Sequence, residues 1–421
     1  MPLLYDLGTR AYHAALCVAG PWNPKAKAWV QLRKGQWKRM EEAAPRLQGC
    51  LWMHCASVGE FEQGRPVLEA IKQQRPELPV LLTFFSPSGY EAAKAFPLAT
   101  HVDLLPPDGR RNAERMQRLV KPRAAVFVKY EFWYHHLRAL GERQVPTFLV
   151  SALFRKDQPF FRWYGGAWRR MLRTFTMIFT QDEASRRLVA PLVQGRAVVG
   201  GDTRFDRVAA IRAEGKELPL ARAWAGHSPV LVCGSTWPPD EQLLAQALHA
   251  MGTAAPKCLL VPHELHEAQL QRAEQLFPKP LVRWGELENG DAANLAATLG
   301  KERQGTLLVD RMGLLARLYG HGRVAYVGGG FTDGIHSLLE AAAWGIPVIF
   351  GPKHRKFPEA RGLIDAGAGR EVRDADELLL ALEHWFSDPE ALHRASTAAS
   401  AYVQQRTGSA KAVAEAVLAA I

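Results

Sequence analysis

From residue 49 onward, short apolar runs alternate with segments whose apolar positions recur every three or four residues. The runs 51–55, 80–85, 124–128, 147–151 and 177–180 read as buried strands, with helices at 62–74 and 110–120 between them. Strands that are apolar throughout, separated by helices, predict a parallel sheet covered on both faces. The same grammar restarts in the second half, with strands at 230–233, 258–261, 306–309, 324–327 and 348–350 and helices at 241–251, 267–277 and 336–344. The charged stretch 209–227 carries no strong strand pattern, which places the domain junction near it. The expected architecture is α/β: two Rossmann-like domains, 49–207 and 208–421, facing a central cleft, preceded by a segment 1–48 of different character.

That segment begins mildly apolar, interrupted by Asp6 and Arg10 and without a small-residue cleavage site, so it reads poorly as a signal peptide. It could dip into one leaflet or simply dock. Residues 22–40 hold Lys25, Lys27, Arg33, Lys34, Lys38 and Arg39, no acid, and Trp22, Trp29 and Trp37 at near-heptad spacing. Tryptophan beside basic residues suits the headgroup region of an anionic membrane, and 1–48 is expected to be membrane-associated. The alternative is a solvated basic helix whose tryptophans pack on the first domain. Residues 155–173 repeat the mixture, with Arg155, Lys156, Arg162, Arg169, Arg170 and Arg173 among Phe160, Phe161, Trp163 and Tyr164. No RNA-binding motif accompanies them, so an anionic amphiphile is expected and nucleic acid is not. The whole chain agrees: 53 Lys and Arg against 42 Asp and Glu leave a net charge of +11, which favours an anionic partner. No run approaches the roughly 18 apolar residues of a clean membrane span. The five cysteines are scattered without metal-type spacing, which suits a reducing compartment.

Candidate chemistry clusters where strands end, because the loops after parallel strands face the ligand crevice. The strand 51–55 runs into Ala56-Ser57-Val58-Gly59-Glu60. A carboxylate there can take a proton from a hydroxyl nucleophile, or merely complement a helix dipole. The strand 124–128 runs into Lys129-Tyr130-Glu131-Phe132-Trp133. Lys129 and Glu131 would share one side of an extended strand, as a site or as an ion pair. In Gly200-Gly201-Asp202-Thr203-Arg204-Phe205-Asp206, Arg204 could face a phosphate or pair with an aspartate. Gly234-Ser235-Thr236 precedes a helix and suits either an anion or an ordinary cap. The run Gly328-Gly329-Gly330 is neither GxGxxG nor a Walker motif, and is expected to contact a phosphate or sugar. Pro262-His263-Glu264-Leu265-His266 is not HExxH and has no third ligand in view, so zinc is not expected, although His263 could line the cleft.

Taken together, these blocks resemble the Kdo (3-deoxy-D-manno-octulosonic acid) transferase family from about 51 to 369. The most specific are Ser57-Val58-Gly59-Glu60, Thr83-Phe84-Phe85-Ser86-Pro87-Ser88-Gly89-Tyr90, Lys129-Tyr130-Glu131-Phe132-Trp133, Gly201-Asp202-Thr203-Arg204-Phe205-Asp206 and Gly234-Ser235-Thr236-Trp237. Gly334-Ile335-His336-Ser337-Leu338-Leu339-Glu340 and Gly345-Ile346-Pro347-Val348 follow in order, and the wording looks nearest to a Bacteroidetes-like branch. The resemblance implies a GT-B fold and inverting transfer of Kdo from CMP-Kdo to a lipid A precursor (lipid IVA) at the cytoplasmic face of the inner membrane, with no cofactor and no metal. It implies Glu60 as catalytic base, Glu131 as an acid supporting the transition state and Arg204 as a basic residue in the same role. It implies a CMP site at Pro262, His263, Met312, Gly313, Leu314, Ser337, Leu338, Leu339 and Glu340. Two positions depart from the family pattern: Ser337 stands where asparagine is usual, and Leu314 where many members carry glutamate. Against this stand two other readings, another GT-B nucleotide-sugar enzyme and a non-catalytic binder of anionic lipid.

Overall fold

The computed structural model describes residues 2–288 and 292–421. The chain forms two compact units, Met1–Arg207 with Gly408–Ile421, and Val208–Thr407. The expected second domain, 208–421, is therefore corrected at its end: the last segment belongs to the first unit. Its helix Ser409–Leu418 buries Val413, Ala414 and Val417 in the same core as Leu51, Met53 and Cys55. Asp206 fastens the start of that helix, accepting the backbone N–H groups of Gly408 at 2.7 Å and Ala410 at 3.1 Å.

The first unit is built on seven parallel strands: β1 (Leu51–Cys55), β2 (Val80–Phe84), β3 (His101–Leu104), β4 (Ala124–Val128), β5 (Thr147–Ala152), β6 (Met177–Thr180) and β7 (Ala197–Val199). Their order is β3-β2-β1-β4-β5-β6-β7, so the strands that carry Glu60 and Glu131 at their exits are neighbours. The second unit repeats the plan with β8 (Val230–Thr236), β9 (Lys257–Pro262), β10 (Leu281–Arg283), β11 (Thr306–Leu308), β12 (Val324–Val327), β13 (Val348–Phe350) and β14 (Gly369–Glu371), ordered β10-β11-β9-β8-β12-β13-β14. The central strands β1, β2, β4 and β5 are buried at every residue, as an apolar run covered on both faces must be. The strands absent from the sequence reading, β3, β7, β10 and β14, are the sheet edges. An edge strand pairs on one side only, and these are short, with polar residues in all but β7, so the hydrophobic signal is weak where the sheet stops.

Residues 1–48 are not a separate appendage. They form α1 (Pro2–Ala19), α2 (Pro24–Leu32) and α3 (Gln36–Leu47) within the first unit. Met40, Ala43 and Leu47 of α3 join the core around Trp52 and Leu81. Arg39 is bound to the fully buried Asp103 of β3 at 2.8 and 3.0 Å, so this cation serves the fold and not a membrane surface. The tryptophans divide between the two readings. Trp29 is buried with the Arg33 guanidinium 3.6 Å above its ring, and Trp37 packs with Arg115 over it at 4.4 Å, whereas Trp22 and Trp163 are 81% and 92% exposed. Among the described residues no helix is long and apolar enough to cross a membrane.

Candidate active site

In the first unit, β1 hands over to the helix α4 (Val58–Gln74) through Ser57, its extended N-cap. Glu60 is the third helical residue, the acid position of a capping box. Here the Ser57 hydroxyl donates to Glu60 Oε2 at 2.5 Å instead of capping a backbone N–H. The part-exposed carboxylate therefore sits in the field of a 17-residue helix, with one oxygen held and Oε1 without a hydrogen-bond partner among the described residues.

Glu131 reaches the same region from β4. The chain does not stay extended: Lys129 turns it with φ +69°, so the expected same-side pairing of Lys129 and Glu131 on one strand is replaced by a turn. Glu131 is 8% exposed, and its Oε2 accepts the indole N–H of Trp133 at 2.7 Å and lies 2.9 Å from His54 Nε2. His54 is fully buried in β1, with Nδ1 2.9 Å from Thr83 Oγ1, which in turn accepts Trp52 Nε1–H at 2.8 Å. One direction of hydrogens satisfies the whole relay: Trp52 to Thr83, Thr83 to His54, His54 to Glu131. Both acids act on the end of β1. The Cys55 thiol is pushed well up, first by complete burial and then by Glu131 and Glu60.

Arg204 opens the helix Arg204–Glu214 after β7. Its Nε and Nη2 donate to Asp202 Oδ2 at 2.9 and 2.7 Å, which is the Arg–Asp pair that the sequence left open. Neighbouring residues tie this turn to α4. Thr203 Oγ1 donates to the Gln63 carbonyl at 2.5 Å, and Arg207 Nε to Glu62 at 2.6 Å. The segment carrying Arg204 is thereby pinned one turn past Glu60.

The second unit gathers its candidates at the ends of β8, β9 and β12. Pro262 closes β9, and the exposed ring of His263 stacks on Trp237 at 4.7 Å and on His336 at 4.3 Å. Trp237 Nε1 donates to His336 Nε2 at 3.2 Å. Burial, then repulsion from His263, holds the His336 pKa down at about 4, from 6.5. A folded state that refuses this proton is less stable wherever the unfolded chain accepts it. Stability should therefore fall as the pH drops from about 6.5 to about 4, and thermal midpoints across that range should decline less in His336→Gln than in the parent. Equal slopes would contradict the assignment.

Several expectations change here. The helix expected over 336–344 is Leu339–Ala343, and Ile335, His336 and Ser337 form an irregular approach to it. The side chains of Leu338 and Leu339 are fully buried, so only their backbone is open to a ligand. Ser337 and Glu340 are half-buried, Met312 is 77% exposed, and Gly313 turns the chain at φ +82° into Leu314, the N-cap of a four-residue helix. The glycine run serves packing. A Cβ on Gly328 would strike the backbone of Ser235 and Thr236, and one on Gly330 the backbone of Gly351. Just past Gly234-Ser235-Thr236, the protein's own Asp240 accepts the N–H groups of Trp237 and Gly329 at 2.9 Å each. Sequence reasoning missed His54 and the pairing of Trp237 with His336. A histidine inside the otherwise apolar strand 51–55 was the available signal, since a buried polar side chain needs a partner.

Residues 30–207 match the family model described as 3-deoxy-D-manno-octulosonic-acid transferase (kdotransferase). The 3-deoxy-D-manno-octulosonic acid transferase of Aquifex aeolicus (strain VF5) is 29% identical over 355 residues, spanning 82% of this chain and 89% of its own length. That of Bordetella pertussis is 28% identical over 417 residues, 91% of this chain and 92% of its own. Along most of its length the chain is similar to Kdo transferases. Among solved structures, UDP-GlcNAc 2-epimerase from Neisseria meningitidis superposes with a TM-score of 0.62 at 14% identity, covering 88% of this chain and 99% of that one. MurG from Acinetobacter baumannii does so with 0.52 at 12%, covering 88% and 99%. At such identities these neighbours speak for the two-domain GT-B fold alone. Glu60, Glu131 and Arg204 all fall inside the span matched by the Kdo transferase model.

Proposed function

We propose that this chain transfers Kdo from CMP-Kdo to a hydroxyl of a phosphorylated lipid A precursor, inverting the anomeric centre. What supports the reading is one arrangement: two carboxylates at the exits of the adjacent strands β1 and β4, one part-exposed and one buried, within the span 30–207 that matches the Kdo transferase model. Glu60, held by Ser57 through one oxygen, takes the acceptor's proton with the other as the hydroxyl attacks. Glu131, fixed by His54 and Trp133, offers negative charge to the positive character that develops at the sugar carbon. Arg204, oriented by Asp202, meets the phosphate of the departing CMP. The second unit takes the nucleotide at His263, at 312–314 and through the backbone of 337–340. The exposed Trp22 and Trp163, each within a basic stretch, attach the enzyme to the cytoplasmic face of an anionic inner membrane.

The test is incubation with CMP-Kdo and a tetraacylated lipid A precursor, with products read by mass. Kdo adducts and released CMP are expected. A chain that ignores CMP-Kdo but binds a UDP-sugar would defeat the proposal in favour of another nucleotide-sugar enzyme. Because side chains supply the charge stabilisation, adding EDTA should leave the transfer rate unchanged. Activity lost with EDTA and restored by magnesium would rule out that account.

A further inference from the structure

Beneath α1 lies a cavity of about 400 Å³, bounded by α1, α2, the loops that follow β2, β3 and β4, and the helix Gly166–Thr174. Its wall is almost wholly apolar and aromatic: Tyr12, Trp29, Phe85, Leu105, Phe132 and Trp168. A sugar placed there would leave its hydroxyls without partners, whereas a hydrocarbon chain would not. The wall also leads to the chemistry. Tyr12 stacks on Phe85, Phe85 stacks on Trp133 at 5.0 Å, and Trp133 both lines the cavity and holds Glu131.

A second, more polar hollow of about 470 Å³ adjoins it, sharing Thr9, His13, Pro107 and Asp108. It carries Arg10, Arg110 and Arg111. Arg10 and Arg111 form no ion pair among the described residues, while Arg110 pairs with Glu114. The acids in this hollow are already engaged. Asp108 accepts from Tyr5 O–H and the backbone N–H groups of His135 and His136, and Asp6 lies 2.5 Å from His135 Nε2.

We propose that the cavity beneath α1 takes one acyl chain of the acceptor glycolipid, with Arg10 and Arg111 holding a phosphate of the same molecule. This rests on the function proposed above and names the acceptor subsite within it. The space suits a single chain, so the other chains would stay in the bilayer while one is drawn alongside Glu131.

Gly8 supplies a plug. It lies on α1 and lines the cavity, and a Cβ added there meets nothing within 4 Å. Phenylalanine at this position replaces a glycine inside a helix, so α1 should not be weakened. The probe is dodecyl phosphate carrying a terminal bromine, used below its micelle concentration, with quenching of tryptophan emission as readout. The parent should show saturable quenching, and Gly8→Phe should bind the probe about tenfold or more weakly, since a buried chain carries most of such affinity. Thermal midpoints and CMP affinity should match the parent. Transfer to the tetraacylated acceptor should fall in Gly8→Phe by a similar factor, while transfer to a deacylated acceptor stays level. Unchanged probe binding and unchanged transfer in Gly8→Phe would overturn the chain site and leave Kdo transfer standing. Probe binding lost in Gly8→Phe, in a protein that transfers Kdo to no acceptor, would overturn the proposed function and uphold a site for an anionic chain. If phosphatidylglycerol displaces the probe and the acceptor does not, the cavity belongs to a membrane lipid and the acceptor assignment falls.

Discussion

Glu60→Gln should lower Kdo transfer by about 10²–10⁴-fold, the usual worth of a general base, with CMP affinity unaltered. Glutamine keeps the size of the side chain and still offers an oxygen to the Ser57 hydroxyl, so the N-terminal turn of α4 should survive intact. What disappears is the lone pair that takes the proton. The effect should lie in kcat, since no contact to the donor is removed. The reading is steady-state kinetics with CMP-Kdo varied, beside a CMP titration. Turnover within a few-fold of the parent would return Glu60 to the role of a dipole-complementing acid.

The second large effect belongs to Glu131 and its buried partner. Glu131→Gln should reduce kcat by about 10²–10³-fold if its charge faces the transition state. It should also cost about 1–3 kcal/mol of stability, because the new NH₂ or one of the two incoming N–H groups loses its partner. His54 is too deep in β1 to meet a substrate and acts only through that carboxylate, as a positioning residue. His54→Gln should therefore show a smaller loss of the same kind. The double variant should be no slower than Glu131→Gln alone, because residues acting in series do not add. Kinetics on the four proteins decides the point: losses that multiply would separate His54 from Glu131.

The sheet centres were legible because burial on both faces favours an apolar run, and β4 and β13 show it unbroken. The edges were not, since β3 and β14 carry polar residues that a one-sided partner tolerates. Motif order brought Glu60 and Glu131 forward as candidates, and the structure sets them at adjacent strand exits. His54 was invisible as a participant because its role is defined by Thr83 and Glu131, distant in sequence and joined only when three strands align. The glycine run misled for a related reason. Close approach of two backbones and close approach of a backbone to a phosphate demand the same residue, and only the fold tells which neighbour arrives.

The capture of Gly408 and Ala410 by Asp206 bears on how this protein is made. A chain leaving the ribosome acquires the sheet of its first unit early, yet the helix that joins the core behind Glu60 is translated only after the whole of the second unit. Until then the face of α4 that packs on this helix is uncovered, and the second unit, Val208–Thr407, has already been synthesised. The unit that begins first is completed only after the second has been made. A premature stop after Thr407 would spare every residue of Val208–Thr407 and strike the unit that carries Glu60 and Glu131.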